Sequence, residues 1–97
     1  MRRSSIERRL NKATAQVKQA RAELAVLDEQ LVAFVDTADD ARIRALVSDS
    51  PADGQEHRQA SRHADAMTRS RVALVDTISA LERHIDELLN DLTPSSS

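Results

Sequence analysis

From Ile6 onward, apolar residues recur at alternating steps of four and three: Ile6, Leu10, Ala13, Val17, Ala20, Leu24, Leu27, Leu31 and Phe34, without a miss. A repeat averaging 3.5 residues marks a helix whose one narrow stripe meets a second helix. With Leu10, Val17, Leu24 and Leu31 at a and the others at d, the flanking e and g positions carry Glu7, Arg9, Thr14, Gln16, Arg21, Glu23, Asp28 and Gln30. Polar shoulders this close to the stripe suit a two-stranded coil better than a helix buried on all sides. The second half repeats the pattern through Ala60, Ala64, Met67, Arg71, Leu74, Ile78, Leu81, Ile85, Leu88 and Leu92. Arg71 alone interrupts it.

Between the halves the first register continues through Ala38, Ala41 and Ala45, and neither Gly nor Pro intervenes before Ser50-Pro51-Ala52-Asp53-Gly54. The turn is therefore expected near residues 48 to 54. Ser4 followed by Glu7 reads as a capping box, and Ser50 ahead of Pro51 places proline at a first helical position. Thr37 with Asp40 offers a third cap, which would kink or break the first arm near 36–39. The fold expected is all-α: a long antiparallel helical hairpin, one domain over 1–97, with arms at about 5–48 and 51–92 and frayed ends at 1–4 and 93–97. Each arm would run roughly 60 to 65 Å at 1.5 Å per residue.

Antiparallel arms must set a positions against d positions. Pairing residues whose numbers sum to 98 does so, placing Ile6 by Leu92, Leu10 by Leu88, Ala13 by Ile85, Leu24 by Leu74 and Phe34 by Ala64. Small often meets large. The same register brings Arg9 towards Asp91 and Arg21 towards Glu82, and sets Arg71 opposite Leu27, within reach of the shoulder carboxylate of Asp28.

One seam leaves other apolar residues outside. Val26, Val32, Val35, Ile43, Leu46, Val47, Val72 and Val75 lie off the stripe, as do Ala33 and Leu89. Packing around a kink at Thr37 would account for them locally. The alternative, preferred here, is a partner face, on which a second hairpin or a larger protein completes a bundle. A homodimer resembling a four-helix bundle is the expectation, because two alanine-rich arms bury little area alone.

Composition narrows the chemistry. Of 97 residues, 40% are apolar and 31% charged, with one Phe and no Trp, Tyr or Cys. Disulfides, thiol chemistry and Cys-ligated zinc are excluded. No apolar segment follows Met1-Arg2-Arg3, and the longest apolar run is far too short for a bilayer, so the chain reads as soluble and cytoplasmic, with no membrane partner. His57, His63 and His84 are spaced by six and 21 residues, which makes no helical ligand pair. No nucleophile with its base and no glycine loop for phosphate is found, so neither catalysis nor a cofactor is expected.

Two weaker signals concern charge. Arg2, Arg3, Arg8, Arg9 and Lys12, continued by Lys18 and Arg21, face a single acid, Glu7, in the first 21 residues, a pattern that can contact phosphate backbones. Against it stand Glu82, Asp86, Glu87 and Asp91, which the antiparallel register lays alongside, and the lack of aromatics to stack on bases. Acids also gather near the turn, in Asp36-Thr37-Ala38-Asp39-Asp40-Ala41 and at Asp49, Asp53 and Glu56. An acidic string at the tip of a helical hairpin resembles the Gre and DksA families. That resemblance implies a small regulator reaching into RNA polymerase, without the globular or zinc domain those families carry. Residues 21 to 35 are similar to the opening helix of AroQ-type chorismate mutases. Arg21 matches a substrate-binding arginine there, yet Ala38 and Asp49 stand where that family's next arginine and its lysine belong. The first functional expectation is thus a non-enzymatic coiled-coil interaction module, adaptor or regulatory subunit. The second is a small regulator of nucleic acid or RNA polymerase.

Overall fold

The computed structural model describes residues 2–93. Two helices account for nearly all of them, α1 over Arg2–Val47 and α2 over Pro51–Leu92. They lie side by side in a ribbon of 70 × 22 × 14 Å. Alanine, leucine, arginine and glutamate favour the helix locally, but arms of this length are stable because each has a stripe to bury against the other.

That stripe is the expected seam. Ile6, Ala13, Val17, Ala20 and Ala41 are buried on α1, and Ala64, Ile78 and Leu88 on α2. Every other a or d residue from Leu10 to Ala45, and from Ala60 to Leu92, is at least half-buried. At the open end Ile6, Ala13 and Leu88 form one cluster, with Leu10, Ile85 and Leu92 packed on it. Ala13, 2% exposed, lies among these large side chains, and Ala41, 1% exposed, is enclosed in the seam near the turn.

Several local expectations give way. The first arm starts at Arg2 rather than residue 5, so Arg3 and Ser4 are helical and not frayed. Ser4 therefore lies inside the helix and no capping box forms; Arg3 Nε donates to Glu7 Oε1 at 3.1 Å instead. The helix is not broken at residues 36–39 either. Thr37 donates its hydroxyl to the carbonyl of Ala33 at 3.0 Å, satisfying itself within the helix rather than capping a new one.

The turn is tighter than its composition suggested. Only residues 48–50 are non-helical, and Gly54 belongs to α2. Ser50 is extended (φ −71°, ψ 124°), as a residue before proline prefers. Its N–H donates to Ser48 Oγ at 3.0 Å and its carbonyl accepts from Asp53 N–H at 3.2 Å. Its own side chain makes no cap bond. At the far end Thr93 donates both its N–H and its hydroxyl to the carbonyl of Leu89, closing α2. The frayed ends expected at Met1 and 94–97 lie outside the described residues.

Candidate functional site: two uncovered faces

A two-helix ribbon has two broad faces, and cross-seam ion pairs identify the residues on each. Arg21 pairs with Glu82 on one side; Arg44 Nη2 meets Glu56 Oε1 at 2.8 Å on the other. Residues one heptad away follow their own side. Thus Asp28, Val35, Thr68 and Val75 share the Arg21 face, with Val32 and Val72 just outside them. Gln30, Ser70 and Thr77 share the Arg44 face, with Val26 and Ala73 outside.

The recesses along the ribbon agree. An open groove of about 670 Å³ is lined by Gln19, Ala22, Glu23, Val26, Leu27 and Gln30 from α1 and by Ser70, Ala73, Leu74 and Thr77 from α2. On the opposite side Asp28, Leu31, Val32, Val35, Asp36 and Arg71 border a smaller recess. We call these the groove face and the valine face.

The eight candidate partner-face residues therefore do not form one surface. Val32, Val35, Val72 and Val75 gather on the valine face, Val75 half-buried and the others exposed. Val26 lies on the groove face. Near the turn Ile43, an f residue, faces directly away from the seam, while Leu46 at 74% and Val47 at 82% exposure are b and c residues, at the same heptad positions as Val32 and Val26. Heptad positions carry this division: Val26 is a c residue, Val32 a b residue and Val35 an e residue.

Arg71 stands on the valine face. Its Nε donates to Asp28 Oδ1 at 2.5 Å, with both side chains a little under half exposed. The hydrogen bond first, and the carboxylate charge second, hold its pKa above the ordinary arginine value. The seam interruption is thus an ion pair at the edge of the stripe, where Arg71 borders a recess with Leu31, Val32 and Val35.

The basic arm is bracketed by acids. Arg2 and Arg9 border a recess with Asp91, and Lys18 and Arg21 border another with Glu82 and Asp86. Arg9 and Asp91 share their recess without closing an ion pair. Arg2, Arg3, Arg8, Arg9 and Lys12 are all exposed, but the carboxylates alongside weaken the field that a polyanion would meet. The acidic turn end is mixed in the same way, since Arg42, Arg44, Arg58 and Arg62 stand among its carboxylates.

The histidines stay apart. His57 Nδ1 lies 3.4 Å from Ser61 Oγ, and His63 stacks on Phe34 with ring centroids 4.1 Å apart. The seam register sets Phe34 against Ala64; the ring contact comes from the shoulder residue beside Ala64, which the heptad stripe alone does not show. Among the described residues no group of three or more His, Asp or Glu side chains is placed to hold a metal, and no helix is long and apolar enough to cross a membrane. Comparison of the chain with family models, with curated proteins and with solved structures gave no match.

Proposed function

We propose that this chain is a non-enzymatic interaction module: a rigid helical hairpin that completes its packing against helices of another polypeptide, either a second copy or a larger protein. The observation that carries this reading is the mismatch between seam and surface. Among the described residues no large side chain is fully buried, while Val26, Val32, Val35, Ile43, Leu46, Val47, Val72 and Leu89 stand substantially exposed. A seam rich in alanine contributes little burial for 92 described residues, and exposed branched side chains on both faces supply what a bundle would bury. An adaptor or regulatory subunit uses such a surface without needing a reactive group.

The test recovers the tagged protein from its native host under nuclease treatment, beside a variant with Val26, Val32, Val35 and Val72 changed to Lys. The expected result is a stoichiometric polypeptide, another copy or a different chain, held by the natural sequence and lost by the variant. Recovery of the natural sequence as a bare monomer overturns the reading, as does a complex that dissolves with nuclease. The latter would favour the basic arm as a nucleic-acid contact.

A further inference from the structure

The two rails of the groove face differ in bulk and in charge, and each rail complements the other. On α1 the rail carries Gln19, Val26 and Gln30; at the same heights α2 carries Ala80, Ala73 and Ser70, all exposed. Towards the open end α1 presents Arg9 and Lys12, and α2 presents Asp91 and Glu87 at matching heights. Near the turn Arg44 stands level with Glu56. In the middle of this face Glu23 is the one charged residue bordering the groove, and it accepts a hydrogen bond from Gln19 Nε2 at 3.3 Å.

Resting on the reading above, we infer that a second copy of this chain covers the groove face, with both turns at the same end and α1 of each copy on α2 of the other. The two-fold axis then runs along the ribbon, so every residue keeps its height and changes rail. Val26 of one copy sits on Ala73 of the other, and Gln19 sits on Ala80. Side chains of two sizes interdigitate, which lets helices approach to the usual 8–10 Å. Lys12 meets Glu87 of the second copy, and Arg9 meets its Asp91. All neighbouring helices run antiparallel, as in an ordinary four-helix bundle.

The opposite stacking, open end on turn end, loses these matches. It lays the small rail on itself, leaving the bulky rails to collide, and sets Glu56 near Asp91 with like charge. The valine face is a poorer seat for a second copy, because Asp28, Asp65 and Arg71 stand among its valines. Area suffices on the groove face: its outline of 70 by 22 Å, roughly 1,500 Å², is about twice the ~800 Å² per partner that a standard interface uses.

Charge reversal tests the pairing. Lys12 and Glu87 are exposed on the outer edges of opposite rails, too far apart to pair within one hairpin. A Lys12→Glu copy and a Glu87→Lys copy should each self-associate roughly tenfold or more weakly than the natural sequence, since each homodimer holds two like-charge contacts. Mixed one to one, they should form a heterodimer of near-natural affinity, because both contacts become attractive. Sedimentation and native mass spectrometry read the species, and circular dichroism checks that each variant keeps its helices. A natural dimer whose two variants assemble as well alone as together overturns this arrangement, while the interaction module itself survives. A natural chain that stays monomeric at several hundred micromolar also overturns it; the recovery experiment then decides separately whether a different polypeptide takes the surface.

Discussion

Leu88→Ala is the substitution that probes the seam most sharply. Leu88 is 4% exposed and packs with Ile6 and Ala13, which Leu10, Ile85 and Leu92 enclose. Truncating a buried leucine costs about 2 to 5 kcal/mol, the spread reflecting how far the surroundings collapse. Here the seam edges are open, so water and the stems of flanking side chains can fill the space, which places the expected loss near 2 to 3 kcal/mol. For a domain of this size each kcal/mol moves the midpoint by about 4 to 8 °C, so the melt should fall by roughly 10 to 20 °C. Thermal and urea unfolding followed by far-ultraviolet circular dichroism, at one fixed protein concentration, measure this directly. Leu46→Ala is the control. Leu46, a b residue, is 74% exposed, so its loss should stay within about 0.5 kcal/mol. Equal effects for the two substitutions would refute the seam as the source of stability.

Gly54 is helical, has no positive φ, and an added Cβ there would meet only Arg58 Nη1 at 3.5 Å, an ordinary contact. Gly54→Ala should therefore stabilise by about 0.5 to 1 kcal/mol, seen as a higher urea midpoint with unchanged slope; no gain would mean that α2 begins later than Pro51. Arg71→Leu completes the apolar repeat opposite Leu27 and frees Asp28 to solvent, so the melting midpoint should rise; a lower midpoint would show the ion pair contributing more than the stripe it interrupts. The exposed Arg44–Glu56 pair should couple by about 0.2 to 1 kcal/mol in a double-mutant cycle and fade in 1 M salt; coupling indifferent to salt would contradict its exposure.

Much of the fold was legible because a period of 3.5 over both halves leaves little choice. The stripe from Ile6 to Ala45 and its partner from Ala60 to Leu92 are the buried positions, and the register that joined Arg21 to Glu82 and Arg71 to Asp28 follows from matching apolar ends. Local signals served less well, for a common reason: a hydroxyl can be satisfied in more than one way. Thr37 could cap a new helix or bond back to Ala33, and the uninterrupted seam on both sides of it decides for the second. Ser4 had the sequence of a cap, but the helix continues through it to Arg2, and Glu7 pairs with Arg3. The exposed valines were legible as a set and not as a surface. Their grouping depends on heptad letter, which separates Val26 from Val32 and Val35 by nearly the width of a helix. The rail complementarity on the groove face is not legible from the large apolar residues, because its exposed α2 side is made of Ala, Ser and Thr.

The central claim is that one chain doubles back on itself in this register, and a distance between two exposed sites tests it. Spin labels at Asn11 and Asp86, on the same face at matching heights, should lie about 15 to 25 Å apart, given helix axes 8–10 Å apart and flexible label arms. Dilution with unlabelled protein confines the measurement to single molecules. A distance in that range is the expected result. Labels more than about 40 Å apart within one molecule, towards the roughly 110 Å of an uninterrupted helix, would contradict the hairpin and the two faces assigned to it.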